Sequence, residues 1–268
     1  MSCRVVSRVK LARALSSLFV IALVTLVGSR LPAWAAADDA AKAAAPAVAV
    51  AQAEVPPAAR ASRNRPGDFD YYLLALSWSP SFCEVSRERY ANRKPDPQCG
   101  PRPYSFVVHG LWPQYERGFP ENCRVPSPRI PRSLVDTMLD LMPSPRLVFH
   151  EWDSHGTCSG LSANAYFDTI RRARAEIKIP ARFQSIAQPL TVDPKEVAKA
   201  FVDANPGLHR EAIAVICDGK RLTGVRICMT RELHFRDCAE ASRSFCRADS
   251  VVMPPVRGAR AASSDGSL

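Results

Sequence analysis

Residues 106–113 read Phe-Val-Val-His-Gly-Leu-Trp-Pro, and residues 149–158 read Phe-His-Glu-Trp-Asp-Ser-His-Gly-Thr-Cys. The first stretch continues a short apolar run from Tyr104 to His109, a predicted buried strand that leaves His109 at its end. The two stretches together hold His109, His150 and His155, three of the chain's five histidines, with Trp112, Trp152, Glu151 and Asp153. A lone histidine is usually a hydrogen-bonded core residue. Three of them in two compact segments point instead to an enzyme, because two imidazoles supply an acid and a base to one reaction without metal or cofactor.

Outward from these stretches, hydrophobic runs alternate with turn-rich segments from Asp70 to about Met253, a length that suits one domain. Tyr71 to Trp78 reads as a second buried strand. Ser133–Met142 and Ala163–Ile177 have helical apolar spacing, and a third helix is signalled by Asp193 as N-cap, Pro194 behind it and Glu196 completing a capping box. Glu211–Cys217 and Arg221–Met229 flank Asp218-Gly219, a hairpin signal. Strands and helices mix without a βαβ repeat, so the fold class is α+β.

The chain opens with Arg4, Arg8, Lys10 and Arg13, an apolar run from Leu15 to Val27, and Ala33-Trp34-Ala35, the pattern of a signal peptide over residues 1–35. That run is shorter than the ~20 apolar residues of a spanning helix, so no stable membrane association is expected after cleavage. Cleavage removes five basic residues and no acidic ones, taking the formal charge from +10 to +5. A basic surface suits a polyanionic partner without selecting one. Residues 36–66, rich in Ala, Pro and Val, read as a linker, residues 67–253 as the catalytic domain and residues 254–268 as a loose tail.

Eight cysteines remain after the signal: Cys83, Cys99, Cys123, Cys158, Cys217, Cys228, Cys238 and Cys246. In an exported chain an even number without a C-x-x-C pair reads as a disulfide framework, although sequence alone leaves 105 connectivities open. A zinc site is disfavoured. His150 and His155 stand five residues apart, about 140° around a helix, whereas a helical zinc site needs four. Four-residue spacing does bring Glu151 over His155 and His150 over Ser154 if the segment is helical.

His109-Gly110-Leu111-Trp112-Pro113 and His150-Glu151-Trp152 running to His155-Gly156-Thr157-Cys158 resemble the two active-site segments of the ribonuclease T2 family, over residues 70 to 250 or so. The resemblance implies a central, mainly antiparallel sheet with several helices, disulfide-braced. It implies an endoribonuclease acting on single-stranded RNA through a 2′,3′-cyclic phosphate to 3′-phosphate ends, with no metal and no cofactor. His155 would be base and His109 acid in the first step, with His150 and Glu151 at the phosphate and Trp112 stacking on a base. The implied bridges are Cys83–Cys99, Cys123–Cys158, Cys217–Cys246 and Cys228–Cys238. A monomer in the periplasm or the medium is expected.

One position departs. The family usually carries lysine immediately before the second-segment histidine, whereas this chain has Ser154. Serine cannot neutralise charge, so either a distant arginine fills the gap or turnover is slow. This departure motivates a second reading, a catalytically weakened protein that binds or inhibits. Gln114 and Phe119 have no assignable base, and His209 and His234 fall outside the motifs as surface or structural residues.

Overall fold

Tyr71–Trp78 (β1) pairs antiparallel on both edges, with Phe106–Gln114 (β2) on one side and Arg221–Met229 (β5) on the other. A strand covered on both faces needs no alternation of apolar and polar residues, which is why Tyr-Tyr-Leu-Leu-Ala-Leu-Ser-Trp is almost uniformly apolar and buried. The computed structural model describes residues 64–92, 94–126 and 129–259. The expected signal peptide, residues 36–63 of the expected linker and residues 260–268 of the tail lie outside the described residues.

The sheet has six strands in the order β2-β1-β5-β6-β3, with Ile213–Asp218 (β4) hairpinned to β5 and with Leu190–Val192 (β3) and Val251–Met253 (β6) at the far edge. All pairings are antiparallel except a single β5–β6 contact between Arg221 and Val252. One face carries the main core, where Leu74, Leu76, Val108 and Leu111 belong to the same cluster as Tyr166, Phe167 and Ile170 of Ala163–Ala175, and as Val197 and Phe201 of Pro194–Ala204. The opposite face holds a smaller cluster of Tyr71, Leu73, Cys228, Cys238 and Ala241, with Trp112 packed against it. The class is α+β, with helices Ser79–Arg89 (α1), Arg132–Asp136 (α2), Pro145–Ser154 (α3), Ala163–Ala175 (α4), Pro194–Ala204 (α5) and Ala239–Arg243 (α6).

Four expectations change in detail. β2 continues through Trp112 to Gln114, so His109 lies inside a strand; β2 is an edge strand, where Pro113 leaves no inner ladder bond unmade. The helix expected over Ser133–Met142 stops at Asp136, since the Thr137 hydroxyl donates to the Leu134 carbonyl and the Leu141 carbonyl accepts from Val108 N–H of β2. In the hairpin Asp218 pairs with Arg221, leaving Gly219 and Lys220 as the turn, with Gly219 at φ +59°. The tail begins inside the domain: the buried Trp78 indole donates to the Pro254 carbonyl at 3.1 Å, and Val256 is buried with its N–H donating to Ile186.

Four disulfides join Cys83 to Cys99, Cys123 to Cys158, Cys217 to Cys246 and Cys228 to Cys238, the pairs that the family resemblance implies. Cys123–Cys158 closes 35 residues and ties the loop after β2 to the turn after α3. Replacing both cysteines by alanine should lower the unfolding free energy by about 3–4 kcal/mol, measured by urea denaturation against the oxidised parent.

Candidate active site

The register of β1 on β2 passes from Ala75 opposite Gly110 to Leu76 opposite Val108, so His109 is the extra residue of a β-bulge. A bulge bends the strand and re-aims the side chain of its unpaired residue. His109 is thereby presented between Ser77, whose Oγ lies 3.0 Å from Nδ1, and Glu151, whose Oε1 lies 3.4 Å from Nε2.

The second stretch forms α3 and the turn after it. Pro145 occupies the first turn, where a missing N–H costs no hydrogen bond, and Trp152 anchors the helix through ring contacts with Tyr166 and Phe167 of α4 at 5.9 and 6.3 Å. One helical turn brings His150 Nδ1 and Ser154 Oγ to 3.4 Å. His155 closes the helix, its N–H donating to the Glu151 carbonyl at 3.0 Å. Gly156 follows because a β-carbon there would come 2.4 Å from the Trp152 ring and 2.8 Å from Tyr166.

Glu151 points inward from α3 onto β2 and is fully buried. Trp112 Nε1–H donates to its Oε2 at 2.7 Å. A β-carbon on Gly110 would stand 1.8 Å from that same oxygen, so glycine provides the seat for the carboxylate. This is the local reason for the spelling His-Gly-Leu-Trp: one residue is displaced, one makes room, one packs the core and one holds the acid. The helix therefore gives Glu151 to His109 and Trp112. Its expected place over His155 is not observed beyond the backbone bond.

The remaining rings complete a cluster. Trp112 lies 5.7 Å from His109 and 5.2 Å from His155, and His150 lies 6.5 Å from His155, centroid to centroid. His155 Nδ1 and Glu151 Oε1 are buried with no hydrogen-bond partner among the described residues. Sequence reasoning missed Ser77, Arg146 and Arg226. Arg226, on β5 opposite Ala75, places its guanidinium carbon 5.2 Å over the Trp112 ring, steadied by Glu240 Oε1 at 3.3 Å and Ser244 at 3.4 Å. Arg146 lines a groove of about 590 Å³ with Ser77, His109, Phe149 and His150. Strand alternation marks Arg226 only as a residue facing away from the main core, which is no functional signal.

Burial dominates the electrostatics. It lowers His155 to about 4, with the neighbouring His150 and His109 acting in the same direction. It lowers His109 to about 4 as well, helped by His150 and Arg226. Burial pushes Glu151 up to about 8, against the Trp112 hydrogen bond. At 3.4 Å an ionised Glu151 would draw a proton onto His109, so the two titrate as one pair. Through the mildly acidic and neutral range both imidazoles are free bases, and the one proton of the His109–Glu151 pair rests on the carboxyl.

The model of the ribonuclease T2 family matches residues 69–238. The chain belongs to that family. The chain is 40% identical over 121 residues to a ribonuclease of Aeromonas hydrophila, covering 45% of this chain and 52% of that protein. It is 38% identical over 127 residues to a probable ribonuclease of Haemophilus influenzae, covering 44% and 47%. The chain spans about half the length of these relatives. Among solved structures, RNase NT in complex with 5′-AMP is 25% identical with a TM-score of 0.50, covering 70% of this chain and 99% of that one.

The seat of Glu151 is testable without any assay of activity. Gly110→Ala should cost about 2–4 kcal/mol, because the added methyl either strains β2 or drives a buried carboxylate off its Trp112 donor; chemical denaturation reads the loss.

Proposed function

We propose that this protein is an exported, metal-independent endoribonuclease that cleaves single-stranded RNA. The observation that carries the reading is that His109 and His155 lie 5.7 and 5.2 Å from the one Trp112 ring, with Glu151 3.4 Å from His109. His155, a free base over the working range, takes the proton of a ribose 2′-hydroxyl. The oxygen attacks its own phosphate, the bond to the 5′-oxygen breaks, and His109 protonates that departing oxygen. The product is a 2′,3′-cyclic phosphate, which water opens to a 3′-phosphate with the two roles reversed. DNA lacks the attacking hydroxyl and is not cut.

His150 and Ser154 present polar groups to the crowded phosphate, and Trp112 offers a face to a base. The charge that Ser154 cannot supply comes from Arg226 on the Trp112 side and Arg146 on the His150 side. The expected signal peptide would release the protein as a monomer into the periplasm or the medium; no helix among the described residues is long and apolar enough to cross a membrane.

Purified, disulfide-bonded protein should cleave total RNA in excess chelator and leave cyclic-phosphate ends. His155→Ala and His109→Ala should each lose a factor of about 10³ or more while keeping the parent's far-ultraviolet circular dichroism. RNA bound but uncut by the parent would overturn the reading in favour of a binding or inhibitory protein.

The pH profile of kcat/KM separates the two arms. The base arm fails as His155 gains a proton, giving an acidic limb near about 4. The acid arm fails when the His109–Glu151 pair loses its shared proton, giving an alkaline limb near about 8. Glutamine at 151 cannot hold that proton, so in Glu151→Gln the alkaline limb should fall below the ordinary imidazole value with the acidic limb in place. An unmoved alkaline limb would remove Glu151 from the acid arm.

A further inference from the structure

Helix α1 borders two concavities. Phe82 lines the groove that holds His109, whereas Ser79, Cys83 and Arg87 line a second hollow of about 240 Å³. Gln98, buried and donating to Ser79 Oγ at 3.0 Å, belongs to the walls of both. Tyr104 faces the second hollow and Val107 the first; three residues of chain separate them by at most about 11 Å. The two hollows are neighbours that share Gln98 as a wall.

The second hollow is built for anions. Arg87, Arg102 and Arg257 all line it and all three are exposed. Arg257 is anchored through the neutral carbonyls of Cys99 and Gly100, which hold the side chain without cancelling its charge. Arg102 lies 5.2 Å over the Tyr104 ring, a guanidinium and an aromatic face presented together. The one carboxylate in the lining, Glu84, is engaged by Arg221 at 3.6 Å. Cys83–Cys99 joins α1 to the turn beneath, so the floor is covalently fixed. Clustered guanidiniums beside an aromatic, in a surface hollow, are the chemistry that holds single-stranded nucleic acid by its phosphates and a stacked base.

We propose that the Arg87–Arg102–Arg257 hollow binds the phosphate backbone of the RNA chain a few nucleotides beyond the scissile bond, on the His150 side of the cleft. The inference rests on the ribonuclease reading for its substrate. It adds a subsite that only chains longer than a dinucleotide can reach.

The test compares the parent with Arg87→Gln/Arg102→Gln/Arg257→Gln on two probes. One is a dinucleotide substrate followed by cleavage. The other is an uncleavable 2′-O-methyl RNA 20-mer followed by fluorescence anisotropy across a salt series. The triple variant should bind the 20-mer at least tenfold more weakly at low salt, with the slope of log K against log[salt] shallower by about 2, since each lost phosphate contact removes about 0.7. Its kcat/KM on the dinucleotide should equal the parent's. Unchanged 20-mer affinity and slope would overturn the subsite. Equal loss on the dinucleotide would overturn it too, placing these arginines in the cleavage cleft. If the triple variant unfolds, Arg87→Gln/Arg102→Gln, which leaves the Arg257 anchor intact, decides between the same outcomes. A parent that binds the 20-mer with this dependence but does not cut the dinucleotide would sink the ribonuclease reading and leave the subsite standing.

Discussion

A carboxylate with no exposure, seated on a glycine and held by an indole, is the constraint around which this site is arranged. Glu151 reaches from α3 onto β2, and the approach is possible only because Gly110 carries no side chain and Trp112 turns its N–H toward the acid. Taking an ionised carboxylate from water costs several kcal/mol, and one hydrogen bond does not offset that. The proton therefore stays with the carboxylate or with His109 at 3.4 Å, and the fold stores it there. A strand and a helix that must meet at this contact have their relative position set by it.

The rest of the scaffold serves that meeting. The bulge displaces His109 from the ladder toward Glu151 and Ser77, while Gly156 lets the chain pass the Trp152 and Tyr166 rings so that His155 can close the helix beside Trp112. The Tyr166 hydroxyl donates to the Leu111 carbonyl at 2.9 Å, fastening α4 to the strand that bears both His109 and Trp112. Cys123–Cys158, with Asn122 N–H donating to the Ser154 carbonyl, fastens the same region from the loop side. On the ribonuclease reading these side chains are catalytic, and such groups must be held close to productive geometry by neighbours whose own positions are locked. Here the locks come from a sheet, two helices and a disulfide.

Much of this was legible in residue order. The uniformly apolar Tyr71–Trp78 announces a strand covered on two faces, Pro194 behind Asp193 announces the start of α5, and the histidine spacing argues against a helical zinc site. What could not be read was geometry that depends on pairing. No local pattern distinguishes a histidine at a strand end from one in a bulge, because the bulge exists only relative to Ala75 and Leu76 of the partner strand. Helical spacing alone offered Glu151 to His155, and only the packing of α3 on β2 assigns it to His109. Arg226 lies 114 residues beyond Trp112 in sequence, so no motif could contain both. The Pro254 carbonyl is invisible to a composition argument, yet the buried Trp78 indole needs it.

On the ribonuclease reading, charge absent at Ser154 is met at a distance. A lysine at that position would sit on the helix that carries His150 and Glu151 and would move with it. Arg226 instead comes from β5, steadied by Glu240 and stacked over Trp112, and Arg146 comes from the first turn of α3. Arg146 and Arg226 line two hollows that share Ser77 and His109, whereas a single lysine would act at one point. On the ribonuclease reading this favours a substrate gripped at several phosphates over one stabilised chiefly at the bond that breaks. A basic chain with a second arginine-lined hollow beyond Gln98 follows the same logic: binding energy collected along the strand can be spent on orientation at the reacting phosphate, where the side chain at 154 contributes only a hydroxyl.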